Sequence, residues 1–182
     1  MRRRKRGSLL ARVIRSELLW RLLCYGLLIL ILSSAECSFF PTLRFLPAVP
    51  DLLLSAVVAV SMLDNRRASL VFAVAAGLIS DAICGVGAPL SALLYLTVAT
   101  VVGTLGEKML PRYGSYLVLM LPALLLRAAA SILLAVFGGV SESLWLFLRL
   151  RLIPEAAVTA GTSLVLYFLV KLSMLPFREK RR

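Results

Sequence analysis

Residues 82–106 read AICGVGAPLSALLYLTVATVVGTLG, without one Lys, Arg, Asp or Glu. A helix needs roughly 20 mainly apolar residues to cross about 30 Å of hydrocarbon. The segment Gly85-Val86-Gly87-Ala88-Pro89 breaks the stretch into the end of one apolar helix and the whole of the next. Working outward, similar apolar runs recur on both sides, and the charges collect in short clusters between them. Of the 182 residues, 60% are hydrophobic, and the mean hydropathy is +0.93. A soluble domain is nearer half apolar. The pattern predicts an all-α, polytopic membrane protein, a six-transmembrane-helix bundle with both termini cytoplasmic.

The spans are expected near residues 18–35, 51–63, 68–84, 90–106, 113–137 and 155–175. Residues 1–17 read as a basic amphipathic lead-in lying on the cytoplasmic leaflet. Residues 18–175 form the transmembrane domain, and residues 176–182 a basic cytoplasmic tail. The segment 36–50, with Phe39, Phe40 and Phe45 at headgroup level and prolines at 41, 47 and 50, is expected to leave the first span. Leu144 to Leu148, before the sixth span, fits the outer interface.

The net charge of +12 would suggest nucleic acid in a soluble protein. Here the charges lie at the chain ends and in short loops, which is the signature of topology determinants. With the N-terminus inside, the cytoplasmic face collects seventeen Lys and Arg, the outer face three, and Arg127 falls within a span. Anionic lipid heads are the partners this implies, and nucleic acid is not expected. Cys24, Cys37 and Cys84 lack metal-ligand spacing, and the chain has no His. Neither a metal site nor a cofactor is expected. Cys24 reads as a packing residue. Cys37 and Cys84 both fall near the outer surface, where a bridge is open to them but not required. A cleaved lipoprotein leader is not expected, because Glu36 occupies the small-residue position before Cys37.

Four ionisable side chains fall where a bilayer penalises them: Asp51, Asp81, Arg127 and Glu155. Charged groups within spans usually face a bundle interior or a cavity. Asp81 and Arg127 lie similar distances above Arg67 and Arg112, about 21–23 Å at 1.5 Å per residue. Asp51 and Glu155 open helices that descend from the outer face, where a helix N-terminus favours a carboxylate. These four residues are therefore expected to form a polar cluster in the outer half of the membrane. Arg127 stands at its centre and Asp81 is its expected nearest partner. A structural salt bridge with two interfacial caps is the plainer alternative.

Ser69, Ala73, Gly77, Asp81 and Gly85 recur every four residues along the third span. Small residues let helices approach closely in lipid. The stripe is expected to meet another span of this chain, with a partner helix or a homodimer as alternatives. Glu155, Thr159, Ser163 and Tyr167 share one face of the sixth span, which should look into the bundle or towards a partner. No nucleophile and base stand near each other in sequence, and no phosphate-binding loop follows Gly85 and Gly87. The chain is expected to be non-enzymatic.

Several of these motifs together resemble the bacterial rod shape-determining protein family MreD, over about residues 18–175. They are Pro50-Asp51-Leu52, the turn Asp64-Asn65-Arg66-Arg67, and Gly77-Leu78-Ile79-Ser80-Asp81 with Gly85-Val86-Gly87 and Leu93-Leu94-Tyr95. The resemblance implies a scaffold in the bacterial cytoplasmic membrane that pairs with MreC. Through MreC it would couple MreB filaments to peptidoglycan synthesis by a SEDS glycosyltransferase and a class B penicillin-binding protein. It carries over Asp51, Gly77, Asp81 and Gly85 as structural or contact positions. The family is similar in architecture to the substrate-binding subunits of energy-coupling-factor vitamin transporters, which makes such a subunit the alternative.

Overall fold

A computed structural model describes residues 22–42, 49–84, 90–107, 109, 113–137 and 153–178. All regular structure among them is helical. Helix α1 runs Leu22–Phe39, and its last turn, Ala35–Phe39, widens to π geometry before a 3-10 turn at Phe40–Thr42. Then follow α2 (Leu52–Leu63), α3 (Arg66–Cys84), α4 (Leu90–Gly106), α5 (Tyr113–Phe137) and α6 (Ile153–Arg178). Among the described residues, three segments are long and apolar enough to cross a membrane: Leu22–Phe39, Tyr113–Leu133 and Ile153–Leu172. The molecule is a helical membrane protein.

Helix α2 is the axis of the bundle. Every residue from Leu52 to Ser61 is buried. A helix apolar all round must be enclosed on every side, and α2 packs against α3, α4, α5 and α6. Its 12 residues extend only about 18 Å, short of the hydrocarbon thickness. It is a short inner rod rather than a full-length span. Asp51 starts it by accepting the Leu54 amide at 2.8 Å, and an extended Asp64 ends it.

Helices α3 and α4 approach most closely at Gly77. A Cβ there would stand 2.3 Å from the Ala92 Cα and 2.8 Å from the Ser91 carbonyl carbon. Only a residue without a side chain allows that backbone contact. Ser69, Ala73 and Gly77 are all buried, and the contact at Gly77 lies within this chain. Helix α1 joins through Tyr25, whose ring meets Phe72 edge-on at 5.3 Å and whose hydroxyl donates to Asp64 Oδ2. Between α5 and α6, the rings of Tyr116 and Tyr167 pack at 4.9 Å.

Helices α4 and α5 begin and end at the residues expected of the fourth and fifth spans. Other ends differ. The first helix continues to Phe39, so Glu36 and Cys37 belong to it rather than to an exit segment. The third begins at Arg66, because the pair Arg66-Arg67 is compatible with a first helical turn. The sixth begins at Ile153, with Pro154 in the first turn, where its missing N–H costs nothing. It continues to Arg178, past the expected boundary at 175. The lead-in 1–17, the glycine turn with Gly85, and the segment holding Leu144 to Leu148 lie outside the described residues.

Candidate functional site

The residues that do not suit lipid meet at the start of α2. Asp51 is 2% exposed, and its groups contact three other helices. Its Oδ1 accepts the Leu54 amide and, at 3.0 Å, the hydroxyl of Tyr95 from α4. Its backbone N–H donates to Thr159 Oγ1 of α6 at 3.0 Å. Its carbonyl accepts Ser55 Oγ at 3.1 Å. Its Oδ2 faces Arg127 Nε of α5 at 3.2 Å. One capping residue thus ties α2 to α4, α5 and α6.

Arg127 bridges to a second carboxylate, Glu155 Oε1, at 3.6 Å from the same Nε. Neither Arg127 Nε nor Asp51 Oδ2 has an aligned hydrogen bond. The attraction is between charges at close range, without the directional N–H···O contact that makes Arg–carboxylate pairs strongest. Glu36 of α1 adds a third carboxylate: it faces the Leu53 amide and lies within electrostatic reach of Asp51, Arg127 and Glu155. One guanidinium therefore pairs with two carboxylates, with a third acidic side chain nearby.

The cluster borders a small half-open cleft of about 20 Å³, lined by Asp51, Leu54, Leu124, Arg127, Glu155 and Thr159 among others. That is room for one water and no larger guest. The Arg127 side chain is 31% exposed, and it also lines an open groove of about 660 Å³ between α4 and α5. Among the described residues no three His, Cys, Asp or Glu side chains are grouped to hold a metal ion.

Of the four expected cluster residues, the structure brings Asp51, Arg127 and Glu155 together. Asp81 is the exception. It was expected to be the nearest partner of Arg127, but Asp51 fills that place, and among the described residues Asp81 forms no ion pair. Its Oδ2 is buried without a hydrogen-bond partner. The reason is azimuth. Equal height along two helices does not make them neighbours, and Asp81 lies on the Gly77 stripe, where α3 meets α4.

Three members were not anticipated. Tyr95 and Thr159 were legible only as parts of patterns, a Leu-Leu-Tyr motif and a polar helix face. Thr159, Ser163 and Tyr167 of that face are buried, so it looks into the bundle. Glu36 carried a usable signal: it is the charge at the C-terminal end of α1, the layer where Asp51 and Glu155 also sit. Cys37, one residue on, is disulfide-bonded, while Cys24 is a free thiol. Comparison with protein-family models, curated proteins and solved structures returns no match.

Proposed function

We propose that this chain is a non-enzymatic membrane scaffold of the bacterial cell-elongation machinery, of the MreD kind. In this reading it pairs with MreC in the cytoplasmic membrane and so helps couple MreB filaments to cell-wall synthesis. One observation carries it. The short motifs that resemble MreD are far apart in sequence yet meet in the fold. Asp51 of the Pro50-Asp51-Leu52 motif accepts the hydroxyl of Tyr95 from the Leu93-Leu94-Tyr95 motif. Gly77 of the third motif presses on Ala92 and Ser91 just before that tyrosine. Contacts of this kind specify a rigid bundle, which a scaffold requires.

In this reading six helices build the bundle with both termini inside, α2 among them as an inner rod rather than a full-length pass. Leu22 and the Asn65–Arg67 turn share one end of the bundle, and the ion pair of Arg66 with Glu107, at 3.9 Å, lies at that end too. Glu36, Asp51, Arg127 and Glu155 share the other. A disulfide at Cys37 suits an oxidising compartment, which supports reading the acidic end as the outer one. The vitamin-transporter alternative needs a pocket of roughly 300–1,000 Å³. The polar cluster holds about 20 Å³, and the one groove of that size that Arg127 lines is the open one between α4 and α5.

The test is depletion of the protein in a rod-shaped bacterium that encodes it. Rounded cells, restored to rods by the wild-type chain, are the expected result. Cells that stay rod-shaped but need an external vitamin would favour the transporter subunit.

A further inference from the structure

At the end of the bundle away from Asp51, α1 and α3 leave an apolar groove of about 730 Å³. Its walls are Tyr25, Gly26 and Ile29 from α1, and Val71, Phe72 and Ala75 from α3. Asn65, Arg66 and Arg67 form its mouth. Val71 is 61% exposed, so the groove opens sideways, towards the surrounding membrane. We propose that it binds one anionic phospholipid of the cytoplasmic leaflet, with the phosphate on Arg66 and Arg67 and one acyl chain between α1 and α3. The site goes beyond the scaffold reading, and only the naming of the leaflet rests on the orientation given above.

Charge, length and surface all select this occupant. Arg66 meets only the exposed carboxylate of Glu107 at 3.9 Å, a loose contact of little strength. Arg67 forms no ion pair among the described residues. The nearby Asp64 accepts the hydroxyl of Tyr25. Two guanidinium groups at headgroup level are thus open to a phosphate, and basic pockets between helices on the cytoplasmic side suit anionic headgroups. From Arg67 to Ile79, the last lining residue on α3, the groove extends about 18 Å. That is close to one leaflet of a hydrocarbon core of about 30 Å. A partner's transmembrane helix would need a groove running through both leaflets, whereas a lipid tail ends at the midplane. The lining is almost wholly apolar below the mouth, as an acyl chain requires.

The test is native mass spectrometry of the full chain in neutral detergent, with phosphatidylglycerol and phosphatidylcholine of identical acyl chains added together. One phosphatidylglycerol should remain bound, favoured roughly tenfold to thirtyfold, the effect expected of two basic side chains at a headgroup. The double variant Arg66→Gln, Arg67→Gln should erase that preference. Gly26→Leu should release both lipids, because a Cβ at Gly26 meets nothing within 4 Å and the added side chain fills the groove without a clash. Millimolar inorganic phosphate should leave the lipid bound, which separates a lipid headgroup from a free anion. Equal retention of the two lipids by the wild-type chain would overturn the proposal. So would a preference that survives the double variant, full retention by Gly26→Leu, or displacement by phosphate. A photo-crosslinker at Val71 that captures another protein or a second copy of the chain, and no lipid, would also overturn it. Should the arginine variants fail to fold, the wild-type preference and Gly26→Leu decide alone.

Discussion

The two ends of this bundle treat their charges in opposite ways. At the acidic end Asp51 is 2% exposed, and α4, α5 and α6 each contribute a group to it. The space left over is about 20 Å³. At the opposite end Arg66 and Arg67 are exposed, and beside them an apolar groove of about 730 Å³ stays open. A charge held by its own chain fixes helix positions, and a charge left at an open mouth is available to something else. In lipid the distinction is sharp, because an unpaired ion in the hydrocarbon is expensive while one at the headgroup level is not. The Asp51 cluster is accordingly a structural tie, and the arginine end is the one we propose as a surface for lipid.

The comparison breaks most directly at Asp51. Asp51→Leu removes the cap of α2, the counter-ion of Arg127 and the acceptor of Tyr95 together. Stripping one partner from a buried pair costs about 3–5 kcal/mol. Arg127 is about a third exposed, so the lower part of that range applies. A fall of several degrees in the thermal midpoint of the purified protein checks it, and an unchanged midpoint would remove the tie from the account. Arg66→Gln, at the open end, should leave the midpoint where it is.

Gly77→Val should have the next largest effect. Its Cβ would collide with the Ala92 backbone, and overpacking of that kind typically costs about 1–3 kcal/mol. The same melt measures it, and a wild-type midpoint would mean that α3 and α4 are not so close. Tyr95→Phe loses one hydrogen bond to Asp51 and no packing. Interhelical bonds in membranes average about 0.6 kcal/mol, so the shift should be small but measurable against repeated wild-type melts. Glu36→Gln removes one of three carboxylates around a single guanidinium. It should leave stability unchanged or raise it, and a marked loss would show that the Glu36 charge is needed. Smallest in energy, but informative about orientation, is thiol labelling. Cys24 should react with a maleimide in unfolded, non-reduced protein, and Cys37 only after reduction.

How legible all this was depended on what a one-dimensional pattern encodes. Apolar run lengths locate α4 and α5 to the residue, because their ends coincide with glycines, prolines and charges. They misjudge α1, whose polar end at Glu36 looks like an exit but is helix that turns inward. Rise per residue places Asp81 and Arg127 at one height, yet says nothing of the angle around the bundle. Asp51, an N-cap on the central helix, therefore takes the place expected of Asp81. Tyr95 and Thr159 are ordinary residues on apolar helices until the fold turns them towards one carboxylate. The Gly77 stripe was readable as a close-packing face, while its partner, α4, emerges only from the three-dimensional arrangement.

If this chain is the scaffold proposed, its company in the membrane is the most direct measurement. Tagged protein, purified in mild detergent and analysed by mass spectrometry, should bring down MreC and cell-wall synthases. It should still do so as Glu36→Gln, which spares the tie, and much less as Asp51→Leu, which breaks it. Recovery of an ATPase-containing transporter module, or of a tightly held small molecule in place of MreC, would contradict the account.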